Sequence, residues 1–181
     1  IGMLTPTAIN GAVLQMVSHG LMTALFFAAI GMIYERTHTR TVSELGGLLK
    51  VMPFISTVFF IAGLCSLGLP GFSGFVAEMT VFVGSWERVE MFYRVSTILA
   101  CMSIVVTAVY ILRASGMSLM GVIKNKKFES LTDATWNEKA AATLLIAGIL
   151  IIGLSPFLLN DLITPGTKQI MQNVNRIFTL N

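Results

Sequence analysis

Charge is what this sequence has least of. Asp, Glu, Lys and Arg make up 12% of its 181 residues, against about 25% in soluble globular domains, and residues 1–34 contain none of the four. A fold held in water by a charged surface is therefore not expected. Cysteine is scarce too. Cys65 and Cys101 sit inside apolar runs, with no CxxC spacing and no His pair nearby, so both read as small core residues rather than as a disulfide or a metal site. Phosphate-cradling and nucleophile signatures are missing as well: the sequence has no GxGxxG, no P-loop and no Ser/His/Asp set with supporting context. No redox, cofactor-binding or metal site is expected on the chain itself. The twelve Lys and Arg exceed the nine acidic residues, but they lie scattered in short segments between apolar runs. They read as topology signals, not as a nucleic-acid surface.

What is present is apolar. Hydrophobic residues make up 55% of the chain and come in long runs that face lipid or other helices, which makes the class an all-α integral membrane protein. The whole of 1–181 reads as one membrane domain fragment, since the chain opens on Ile1 and shows no signal-peptide pattern. About four transmembrane helices are expected. The first covers 11–34, with Pro6 and Asn10 as turn and cap residues before it. The second covers 51–85. A continuous helix there would measure about 52 Å against a bilayer core of about 30 Å, so it is expected to be discontinuous. Pro70, Gly71 and Gly74, in Gly68-Leu69-Pro70-Gly71-Phe72-Ser73-Gly74, place the break mid-membrane, because proline removes a donor and glycine weakens helix continuity. Spans at 94–113 and 140–160 follow, the last interrupted late by Ser155-Pro156. After Pro165-Gly166, Ile170, Met171, Val174, Ile177 and Phe178 share one helical face, so 166–180 reads as a helix lying at the interface, with a frayed tail as the alternative. Counting Lys and Arg by loop gives eight on one side and four on the other. The richer loops then face the negative side of the membrane, and both chain ends the periplasmic, positive side.

Glu78 is the only charged residue in 51–85. An ionised carboxylate at mid-membrane costs about 2.5–3.5 kcal/mol on insertion scales, so it should face a partner or a water-lined cavity. If Ser73 caps the second half-helix, Glu78 lies near that helix's positive end, and ionisable groups beside broken helices recur at ion sites in transporters. The competing reading is a carboxylate that merely pairs with a cation to hold helices together. His19, inside the first charge-free run, has the chemistry of a proton relay near neutral pH, but a packing role stays open on the bare sequence. His38, between Arg36 and Arg40, reads as a solvated loop residue.

Four stretches then carry a resemblance. Leu14-Gln15-Met16-Val17-Ser18-His19-Gly20, Tyr34-Glu35-Arg36-Thr37-His38-Thr39-Arg40, Gly46-Gly47-Leu48 and Leu67-Gly68-Leu69-Pro70-Gly71-Phe72-Ser73-Gly74-Phe75-Val76-Ala77-Glu78 resemble, in order and spacing, the later helices of the antiporter-like subunits of complex I type NADH:quinone oxidoreductases. The resemblance is strongest to the M-type subunit, also called chain 4, and weakens after Arg113. It implies a bundle of about fourteen helices with two inverted repeats, of which this chain is a C-terminal fragment. It further implies proton translocation along a buried polar axis ending at Glu78, with His19 among the relays, as one subunit of a redox-driven translocase. Flavin, iron–sulfur clusters and quinone would lie on other subunits. The implied partners are the other membrane subunits, including related antiporter-like ones, and lipid, with no nucleic acid. The implied location is an energy-converting membrane, the bacterial inner membrane first and a thylakoid second. Related subunits usually carry Lys where Glu78 stands, so the carboxylate favours the M type. A subunit of a multisubunit cation/proton antiporter or of a membrane-bound hydrogenase is the alternative.

Overall fold

The computed structural model describes residues 2–179, and the side chains of all of these except 175 and 177–179. The interfacial face expected to include Ile177 and Phe178, and the end of the 166–180 segment, therefore lie outside the described residues. Every regular element is a helix. Among the described residues, three helices are long and apolar enough to cross a membrane: α1 (Pro6–Thr37), α5 (Met91–Leu119) and α6 (Trp136–Leu154). Between α1 and α5 lie a single turn, α2 (Leu48–Val51), and two 14-residue helices, α3 (Pro53–Ser66) and α4 (Ser73–Trp86). At 1.5 Å per residue each of these two is only about 21 Å long, short of a bilayer core of about 30 Å. A 3₁₀ turn (Lys126–Ser130) precedes α6, and α7 (Phe157–Thr179) follows it.

The start of α1 differs from the sequence expectation in its capping. Thr5 is the cap: its hydroxyl accepts from the Ala8 N–H at 3.1 Å, and Pro6 takes the first helical position, where its missing N–H removes nothing the helix would use. Asn10 lies inside the helix, and its amide reaches Thr164 at 3.2 Å and Asn160 at 3.4 Å. The expected boundary at Pro165-Gly166 is also absent, and α7 runs through Pro165. Nearby hydroxyls bond to the backbone carbonyls, Thr164 to Asn160 at 2.8 Å and Thr167 to Thr164 at 3.1 Å, while Thr167 also donates to the Asn10 side chain. The interruption expected at Ser155-Pro156 is present and separates α6 from α7.

In lipid, apolar burial gives little drive for helices to associate, so close packing and polar ties must do it. Small residues allow the approach of α1 to α4. A side-chain carbon at Gly11 would lie 2.7 Å from the Val81 nitrogen, and one at Gly84 would strike the Ala8 backbone. At the same end Thr5 donates to the Gly84 carbonyl at 2.8 Å. At the opposite end Arg36 is a clamp. Its guanidinium meets the Glu138 carboxylate at 2.7 and 3.1 Å, and bonds the carbonyls of Thr132, Asp133 and Met32 as well. Glu138 closes a capping box with Thr135 at the start of α6, and the Asp133 carboxylate accepts from Phe54 and Ile55, the first free N–H groups of α3. Three helix ends are thus joined in one polar cluster. Between the two ends, Leu25, Ala29, Ile55, Val58, Ala62 and Ile149 form the buried apolar core shared by α1, α3 and α6.

Candidate functional site

The site forms where α3 stops and α4 starts. Helix α3 ends at Ser66 because the next residues cannot continue it: Gly68 and Gly71 take left-handed backbone angles, φ +63° and +98°, and Pro70 lies between them without an N–H to donate. Helix α4 resumes at Ser73, and Gly74 lets it do so tightly. A side-chain carbon there would lie 2.8 Å from the Cys65 carbonyl in the last turn of α3. The loop is roofed by α6, where Gly153 leaves no room for a side chain beside the Gly71 carbonyl.

Ser73 is not the cap of α4. That position falls to Phe72, which offers no side-chain acceptor, and the Ser73 hydroxyl instead pairs with Ser18 of α1 at 2.8 Å, both residues being buried. With Ser73 as its first residue, α4 carries Glu78 at its sixth position, in the second turn rather than the first. The macrodipole acts mainly within the first turn, so it holds less of this carboxylate than the sequence reading assumed. The side chain folds back toward the break, where its Oε2 occupies the space a Cβ on Gly68 would take.

Glu78 is half-buried, and among the described residues it has no ion pair; the only salt bridge between described residues is Arg36–Glu138. It lines two cavities. One, about 250 Å³, is bounded by Gln15, Ser18 and His19 of α1, Ser66 of α3 and Tyr110 of α5, among others. The other, about 210 Å³, is bounded by Ser66, Phe82, Ser103 and Thr107. His19 and Glu78 therefore face a common space although 59 positions separate them in the sequence. The His19 ring is exposed in this chain, with Nε2 3.3 Å from the Thr23 hydroxyl. His38 lies well away: it ends α1 in a left-handed conformation (φ 53°) with its ring edge-on to Tyr34.

Several lining residues went unmarked in the sequence. Gln15, Ser18 and Met22 stand with His19 at i, i+3, i+4 and i+7 spacing, so one helical face carries them all. That pattern is the signal that finds them. The carbonyl oxygen of the Gln15 side chain is buried without a hydrogen-bond partner, an acceptor directed at the same region. Thr107 and Tyr110 come from α5, and no local pattern announces a contact across so many residues.

Comparison with known proteins places these features in context. Residues 1–107 match the family model described as NADH:quinone oxidoreductase/Mrp antiporter, transmembrane. The chain is 37% identical over 175 residues to the NAD(P)H-quinone oxidoreductase chain 4 of Gloeobacter violaceus, covering 94% of this chain and 33% of that protein. It is 33% identical over 168 residues to the NADH-quinone oxidoreductase subunit M of Rhodobacter capsulatus, covering 91% and 31%. In structure it matches a chain of respiratory complex I from Thermus thermophilus with bound NADH at a TM-score of 0.82 and 24% identity, covering 94% of this chain and 35% of the other. That likeness speaks to the fold. The chain spans about a third of the length of the curated relatives it matches.

Proposed function

This chain belongs to the NADH:quinone oxidoreductase/Mrp antiporter transmembrane family, and from that premise we propose that it is the C-terminal part of an M-type, proton-translocating subunit of an NADH:quinone oxidoreductase. Relatives named chain 4 and subunit M at 33–37% identity support the subunit type. The observation that carries the proton-relay reading is that Glu78 lines both cavities at the helix break.

In this reading Glu78 takes a proton from one cavity and releases it to the other. A carboxylate without an ion pair is free to change charge, whereas one locked to a guanidinium, as Glu138 is to Arg36, is held ionised. His19 opens onto the first cavity and passes protons there, with Gln15, Ser18 and Tyr110 ordering water between them. The break at Pro70 and Gly71 places irregular backbone beside the carboxylate, an arrangement tolerated at membrane depth where it lines a water-filled space. The redox energy, and the flavin, iron–sulfur clusters and quinone that carry it, belong to other subunits of the complex. Both chain ends lie on the positive side, in an energy-converting membrane.

The test is to tag the parent protein and ask what it brings with it and what Glu78→Gln does. Copurification with quinone-reducing activity, with the variant keeping electron transfer and losing the proton gradient, is the expected result. Copurification with other antiporter chains and no quinone reductase would replace the reading with a cation/proton antiporter. A full gradient from the variant would remove Glu78 from the proton path.

A further inference from the structure

We infer that Gly68 is a positioning residue for Glu78: the missing side chain at Gly68 is the seat in which the Glu78 carboxylate rests. This deepens the reading above and rests on it. A Cβ built on Gly68 would collide with Glu78 Oε2 and lie 3.1 Å from the carboxyl carbon, whereas no other group comes near enough to be struck. The left-handed backbone of Gly68 (φ +63°) aims that empty position at α4 rather than away from it. The two residues are ten apart, Gly68 in the loop after α3 and Glu78 in the second turn of α4, so the contact is a product of the break itself.

The contrast with Gly71 separates this role from ordinary glycine chemistry. Gly71 also has a positive φ, +98°, but a Cβ there would meet nothing within 4 Å. Alanine at Gly71 strains the backbone of the loop and leaves Glu78 alone. Alanine at Gly68 also strains the backbone, and in addition it pushes on the far end of a flexible side chain, which gives way more readily than backbone. The fold survives and the carboxylate moves, out of the region shared by the two cavities.

The experiment is proton translocation by the intact parent complex in proteoliposomes, with electron transfer measured in the same vesicles, for wild type, G68A, G71A, E78D and the G68A/E78D double variant. E78Q is run alongside to test the proton-path reading by itself. G68A should cut proton flux per electron by about tenfold, because a misplacement of about 1 Å can cost on the order of 100-fold where groups must align. G71A strains the same loop without meeting Glu78, so it should cost clearly less than G68A. Aspartate withdraws the carboxylate by one methylene and clears the space, so G68A should cost little more in the E78D background. Equal losses from G68A in both backgrounds, or equal losses from G68A and G71A, would make Gly68 a backbone requirement only and overturn the inference. If G68A alone does not assemble, assembly becomes the readout: restoration by E78D supports the seat, and failure of both variants overturns it. Loss of pumping in E78Q with normal pumping in G68A would sink this inference and leave the proton-path reading standing. Normal pumping in E78Q would sink the reading on which it rests.

Discussion

Ser18 and Ser73 share a 2.8 Å hydrogen bond with each residue about 1% exposed, a side-chain tie between α1 and the first turn of α4. Replacing either serine by alanine strands the other hydroxyl, at a cost of roughly 1 kcal/mol. The S18A/S73A pair strands neither, so it should lose less than the sum of its singles. Detergent-titrated unfolding of the parent subunit checks this, and strict additivity would show that the bond contributes nothing. At this scale the sequence was legible where a residue is unusual for its surroundings: one carboxylate or one histidine in an apolar run stands out. It was illegible where the partner lies far along the chain. Ser73 looked like a cap because serine often is one, and only the approach of α1 shows that its hydroxyl is engaged elsewhere. Gly68 looked like one more helix breaker, because a glycine's local chemistry does not reveal what fills the space it leaves.

The elements are joined chiefly at their ends. Asp133 caps α3 from the segment before α6, its two carboxylate oxygens 2.8 and 3.2 Å from the Phe54 and Ile55 nitrogens. Asp133→Ala should destabilise by about 0.5–2 kcal/mol. Asp133→Asn should recover part of that, since its amide oxygen still accepts, and the same unfolding assay reads both. At the other end Gly84 lies against the Ala8 backbone. Gly84→Leu should force α1 off α4 and reduce the yield of assembled complex, with a cost of about 1–3 kcal/mol or more from overpacking; normal assembly would mean the two helices can separate without harm. Helix existence was legible because charge-free runs of membrane length have few other readings, and the interruption at Leu67–Phe72 because proline and glycine act locally. Helix ends were less so. Arg36 read only as a topology signal, yet its five bonds tie the end of α1 to the start of α6 and the segment before it, a contact network no spacing rule encodes. Pro165 read as a boundary, and tertiary ties from Asn10 to Thr164 and Thr167 carry the helix past it.

Across the whole molecule, the longest exposed apolar surface is α5, where Val105, Val106 and Val109 are each more than 60% exposed. Such a surface requires lipid or neighbouring helices. Aspartate at Val105, at the centre of α5, should raise the free energy of membrane insertion by about 2.5–3.5 kcal/mol, measurable as reduced insertion in a glycosylation-mapping assay; unchanged insertion would place this face against a polar surface. The two basic loops also meet at one end, where Gly47 bonds to Met120 and Lys124 to Ser43. Single cysteines at Lys126 and Arg88 should therefore label from opposite sides of the membrane, and labelling from the same side would break the topology argued from charge.

Whether the carboxylate of Glu78 passes protons is decided by the ratio of protons moved to electrons transferred. The intact parent complex is reconstituted with wild-type or E78Q subunit, NADH is added, and acidification and quinone reduction are recorded in the same vesicles. Sustained electron transfer with a clearly lower ratio is expected in E78Q. A ratio equal to wild type would show that Glu78 is a structural carboxylate and that protons cross elsewhere.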